Sequence, residues 1–318
     1  PVAAVRLTAR ADGRLVSPLH GIDVSAQVLD VEACRELAAL YDVPEATAAL
    51  TLDDLVDALE GTGSTSTEAV VDLGILGPVT VDAPGTVDAD RRDFLTELGC
   101  FLALHPTGVH VNRISAALWP RGVEPELRDA ALDQLVAWWG TTADGTPVLA
   151  HDSGVWSVTP GALSLDWDVF RDALNSAAND GRQRERHLRA ALDQVRGATL
   201  EGVHFGRYTW VAGTTLEADT ALAVAMTAQA LAESAAARDD VAAARACLER
   251  SLVLLPANED LWRARLLLEA GVGDREQLRL VADRLYAAIS EHGSPVGASP
   301  QTDALVDELV PGYRTRAA

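Results

Sequence analysis

Lysine is missing altogether: all 26 basic residues of this 318-residue chain are arginines. That removes whole classes of chemistry at once, since no Walker A phosphate loop, no Schiff base and no catalytic lysine can be built. Cysteine is scarce, and Cys34, Cys100 and Cys247 lie far apart without a CxxC pair. An odd, dispersed set fits a reducing compartment and small buried side chains rather than a disulfide framework or a zinc site. Aromatics make up only 5%, although seven of them are tryptophan. Long apolar runs are lacking too. The most apolar segment, residues 221–232, is broken by Thr227 and Gln229 and falls short of the roughly 18 residues of a membrane span. No basic-then-apolar leader is visible. The expectation is a cytoplasmic segment without membrane contact of its own. Because the chain begins at Pro1, it is expected to be a piece of something longer, which leaves room for a membrane-anchored parent.

What the chain has in excess is negative charge, with 47 acidic residues and a net charge of −21. Such a surface repels phosphate backbones within a Debye length of about 8 Å at physiological salt. A free-standing, non-specific nucleic-acid binder is disfavoured, though a local basic patch is not.

Residues 5–29 alternate like β structure: VRLTA, a turn at Asp12-Gly13, LVSPL, and then GIDVSAQVL as a third strand. Helical spacing predicts helices over 31–40, behind Asp30, and over 52–59, behind Thr51. GTGSTST (61–67) has the composition of a linker. Residues 68–82 read as strand, Gly77-Pro78 turn, strand. Three helices follow, over 88–105, 112–118 and 125–139, punctuated by Pro106-Thr107-Gly108, Pro120 and Gly140. VLA and GVWSV (154–158) then make a hairpin. This is the plan of a winged helix-turn-helix. From residue 165 onward the period is helical, with one irregular stretch at 197–213, and short turns pair the later helices into a tetratricopeptide-like array without a strict 34-residue signature. The predicted class is mainly α with small β elements: an α+β segment and linker (1–67), a winged helix-turn-helix-like domain (68–163), and a helical domain (164–318).

In a winged helix the third helix reads base edges and the wing touches sugar-phosphate. Here the apolar stripe Leu127, Ala131, Leu132, Leu135, Val136 and Trp139 is predicted to face the core, which turns Glu126, Asp129, Asp133 and Ala137 outward. Arg113, Arg121, Arg128 and Gln134 are the residues able to contact DNA. They are opposed, since residues 91–160 hold five arginines against eight carboxylates.

Other clusters read as structure. Arg182, Arg184, Arg186 and Arg189 suit a solvated helix face. Cys100, His105 and His110 do not match a metal-ligand pattern. His151-Asp152-Ser153 are too close in sequence to form a triad, and Asp166 before Trp167-Asp168 suits a helix N-cap. Trp119, Trp139 and Trp156 read as core residues. Phe205, Tyr208 and Trp210, in the irregular stretch, could line a ligand pocket or pin the loop. The sequence offers no catalytic set, no cofactor-binding motif and no metal site, so no cofactor and no enzyme activity are expected.

These motifs carry a resemblance. FLALHPTGVHVNRISAALWP (101–120), with Arg128, Ala130 and Leu132, resembles the winged helix of the OmpR-type and antibiotic regulatory activators of actinobacteria. SLDWDVFRDAL (164–174), LRAALDQVRG (188–197) and the loop with Trp210 resemble the attached bacterial transcriptional activator domain, or BTAD. Ile75-Leu76-Gly77-Pro78-Val79, the 208–213 loop, Asp12-Gly13-Arg14-Leu15 and His20-Gly21-Ile22 are similar to segments of actinobacterial proteins that join a LysM domain to a BTAD. The likeness covers residues 70–290 and, loosely, 5–45. It implies a membrane-anchored parent whose tetratricopeptide-related BTAD mediates self-association. The activators carry Arg and polar residues on the outer side of the third helix, where this chain has Asp129 and Asp133. The expectation is therefore a non-enzymatic regulatory or scaffolding segment that binds protein partners or itself. The alternatives are a DNA-binding regulator and a small-ligand sensor near Trp210.

Overall fold

The computed structural model describes residues 8–9, 14–17, 22–25, 51–59, 69–204, 206–293 and 297–313. The chain forms two compact units, Pro1–Leu50 and Thr51–Ala318. The first holds three short antiparallel strands, β1 (Thr8–Ala9), β2 (Arg14–Ser17) and β3 (Ile22–Ser25), in that spatial order. The expected turn at Asp12-Gly13, the helix over 31–40 and the 61–67 linker lie outside the described residues.

The second unit opens with α1 (Leu52–Ala58), where Thr51 and Asp54 form a reciprocal capping box. Two small sheets then frame the winged helix. In one, β4 (Val71–Gly74) pairs antiparallel with β5 (Thr80–Asp82) and parallel with β9 (Leu163–Leu165). In the other, the order is β6 (Val109–His110), β8 (Val155–Val158), β7 (Leu149–Asp152). Between them run α2 (Ala89–Ala103), α3 (Val111–Leu118) and α4 (Pro125–Trp139), close to the bounds that their Pro and Gly punctuation predicted. The wing turns on Ser153 (φ 50°) and Gly154 (φ 83°), two consecutive left-handed residues that match the twist of a two-residue hairpin. β6 and β9 were not foreseen, being too short to show a period of two.

The predicted stripe of α4 needs one correction: Leu127 is 65% exposed, whereas Ala131, Leu132, Leu135, Trp138 and Trp139 are buried. Leu127 lies a full turn before the first of these, where the helix axis has already left the core. Trp138, which the predicted stripe did not include, is also buried, with the Arg92 guanidinium 5.5 Å from its ring.

The remaining helices are α5 (Asp166–Asn179), α6 (Arg184–Asp193), α7 (Leu216–Ala236), α8 (Val241–Leu254), α9 (Glu259–Val272), α10 (Arg275–His292) and α11 (Pro300–Leu309). Asp240, Asn258, Asp274 and Ser299 each accept a backbone N–H at the start of α8 to α11. Caps of this kind contribute about 1 kcal/mol apiece. Two apolar cores result. One runs from α1 through the winged helix to α5, α6 and α7; the other joins α7 to α11. The helix α7 serves both. Ala223, Val224 and Leu231 face the first core, and Ala225, Ala228, Ala232 and Ala235 the second. Two apolar sides, each covered by its own core, account for the most apolar segment of the sequence.

Candidate functional site

The face that would meet DNA is built by α4, the end of α3 and the wing. Glu126, Asp129, Asp133 and Ala137 are exposed along α4, with Glu124 just before it. Of the four sequence-predicted contacts, Arg128 is spent within its own helix. Its Nε and Nη2 meet Asp129 Oδ1 at 2.8 and 2.7 Å, and only 17% of its side chain is exposed. Arg113 on α3, Arg121 in the α3–α4 turn and Gln134 on α4 are exposed, and neither arginine has an ion pair among the described residues. The structure thus places two unpaired cations beside a row of carboxylates. His110 and His151 have local work: His110 Nδ1 accepts the Asn112 N–H at the start of α3 (3.2 Å), and His151 stacks on Trp156 at 4.5 Å.

The described parts of the irregular stretch, 197–204 and 206–213, form a strap across the winged helix. Glu97 of α2, buried, accepts the Tyr208 N–H at 2.6 Å and the Arg207 guanidinium at 3.3 Å. Trp210 meets Phe101 edge-on at 5.1 Å, and the Tyr208 hydroxyl lies 3.9 Å from Cys100 Sγ. Both Tyr208 and Trp210 therefore contact the winged helix, where they pin the strap; Phe205 lies outside the described residues. Burial pushes the Cys100 thiol up to about 12, so no thiolate nucleophile is available there, and burial raises Tyr208 as well. The Trp210 indole N–H is buried without a partner.

A second anchor lies at the other end of the strap. Asp166 begins α5 rather than capping it, as Leu165 is the N-cap residue. Its carboxylate accepts the backbone N–H groups of Ile75 and Leu76 at 2.9 Å and Arg196 Nη2 at 3.0 Å. The approach is close enough that a Cβ on Gly77 (φ 143°) would fall 2.9 Å from Arg196 Cβ and from the Gly197 nitrogen. Sequence reasoning passed over Glu97 and read Asp166 as a helix cap, because the backbone groups that these carboxylates hold lie far away in the sequence.

The remaining clusters are accounted for by local contacts. Arg184 faces Asp53 at 3.5 Å, Arg189 pairs with Glu185, and Arg186 donates to Gln183 at 2.9 Å. Asp168 pairs with Arg171, and burial holds its carboxyl above the usual range. Among the described residues, no three His, Cys, Asp or Glu side chains converge on a point that could hold a metal ion. No described helix is long and apolar enough to cross a membrane.

No family model matches the chain, and no curated protein matches its sequence. Among solved structures the chain is similar to Mycobacterium tuberculosis EmbR, described in complex with a low-affinity phosphopeptide. The two are 20% identical with a TM-score of 0.53, and the match covers 78% of this chain and 68% of that one. At that identity the likeness carries the fold: mainly helical, with a winged helix followed by a helical BTAD.

Proposed function

We propose that this chain is a non-enzymatic regulatory or scaffolding segment whose winged helix has become a protein-binding surface. The observation that carries the reading is the outer face of α4, where Glu126, Asp129 and Asp133 stand exposed and the one arginine of the helix is held by Asp129. A carboxylate 4 Å from a phosphate is repelled by about 1 kcal/mol even at the dielectric of water, and by more where water is excluded. Three such groups outweigh what Arg113 and Arg121 return, since a working reader neutralises roughly 6–10 phosphates. The winged helix (68–163) supplies the binding face and the helical array (164–318) serves self-association or a protein partner, while α1, expected within residues 1–67, packs into the core of the second unit. LysM-linked, actinobacterial kinship fits the motifs quoted above.

The second reading, a DNA-binding transcriptional regulator, is favoured by the complete helix-turn-helix and wing with Arg113 and Arg121 unpaired. Titration of the protein into a labelled 30-base-pair duplex at about 50 mM salt separates the two. We expect no saturation up to about 100 µM, and gain of salt-sensitive binding in Asp129→Arg/Asp133→Arg. Saturable binding by the unaltered chain with a steep salt slope would establish the second reading instead.

A further inference from the structure

The helical array carries a groove that neither the winged helix nor the strap occupies. α7 contributes Gln229, Ala232 and Glu233 to it, α9 contributes Ala264 and Leu267, and α11 contributes Gln301, around a cavity of about 600 Å³. Positions three and four apart on a helix share a face, so each helix lends one stripe. The alanines leave room that larger side chains would fill. Leu267 is 54% exposed although Leu261 and Leu266 of the same helix are fully buried, so the second core leaves it free to receive a ligand.

Charge and hydrogen-bonding capacity narrow the occupant. Arg263 is already engaged, pairing with Asp260 and donating to Thr302 Oγ1 at 2.8 Å. Glu233 is exposed and has no ion pair among the described residues. The groove thus offers an apolar wall, one unpaired carboxylate and two primary amides. Each amide can both donate to and accept from a peptide backbone. A phosphate-bearing ligand meets the wrong charge. A purely apolar one would cover Glu233 without giving its carboxylate a partner.

We propose that this groove docks a short segment of a protein partner, with a leucine-sized side chain against Leu267 and an arginine or lysine against Glu233. The proposal rests on the protein-interaction reading above and gives it a second surface with a defined preference.

The test uses the full chain and two sets of fluorescein-labelled dodecapeptides. In one set Leu is followed three or four residues later by Arg; in the other, Glu replaces that Arg. Anisotropy should show saturable binding of the Arg set and weaker binding of the Glu set. Leu267→Asp should weaken the Arg set by about tenfold or more, and Glu233→Arg should reverse the preference between the sets. Both side chains are exposed, so unchanged far-UV circular dichroism serves as the folding control, and Leu267→Ala is a milder second variant. No saturation by about 1 mM, equal binding of the two sets, or binding that the variants leave within about twofold would overturn the proposal. Those outcomes do not touch the acidic face of α4, which the duplex titration reads separately.

Discussion

Replacing Asp166 by alanine removes three hydrogen bonds at one stroke. The carboxylate is 9% exposed, and the backbone N–H groups of Ile75 and Leu76 that it accepts belong to residues 0% and 1% exposed. Neither N–H can turn to water, and no other acceptor is at hand. An unsatisfied buried donor costs about 1–3 kcal/mol. Arg196, 38% exposed, can be resolvated and adds little. The expected loss is therefore about 3–5 kcal/mol, a large share of the roughly 5–15 kcal/mol that holds a typical domain folded. Asp166→Asn keeps one acceptor oxygen but points an amide N–H₂ group at a donor, so its loss should be smaller, about 1–3 kcal/mol. Urea unfolding followed by tryptophan fluorescence and by far-UV circular dichroism measures both. Because the staple joins the β4–β5 turn to α5, the two probes should stay coincident while the midpoint falls. A loss below about 1 kcal/mol for Asp166→Ala would refute the argument that this carboxylate satisfies the turn.

Two further outcomes follow from the strap. Cys100, with its folded value raised from 9.0 to about 12, contributes stability that is complete below the unfolded value and is lost as pH rises toward 12. The urea midpoint should fall between pH 8 and pH 11 and fall less in Cys100→Ala, the difference approaching about 2 kcal/mol; parallel pH profiles would contradict this. Trp210→Phe retains the ring against Phe101 and removes the buried unpartnered N–H, so it should change stability by less than about 1.5 kcal/mol. Trp210→Ala should cost about 2–4 kcal/mol, and equal effects from the two would argue against the packing role.

The helix-turn-helix was legible because its boundaries are chemical: Pro106-Thr107-Gly108, Pro120 and Gly140 each stop a helix for a local reason. The carboxylates of α4 were legible too, since a helix with its apolar stripe fixed has only one outer side. Leu127 was misplaced because periodicity gives direction around an axis but not how far along that axis the core extends. Asp166 escaped because its partners are 90 and 91 residues away, across a parallel pairing of β4 with β9 that no local pattern encodes. Glu233 and Leu267 could be seen only once α7, α9 and α11 had been set side by side, and their separation in sequence hides the groove completely.

The helix α7 is a shared wall between two rooms. A cut placed anywhere between the winged helix and the array gives α7 to one fragment and strips one of its apolar sides of cover. If the array keeps it, Ala223, Val224 and Leu231 face water; if the winged helix keeps it, Ala225, Ala228, Ala232 and Ala235 do. The same helix carries Gln229 and Glu233 on the groove. Either half, taken with or without this helix, would need a new apolar cover for one of its sides.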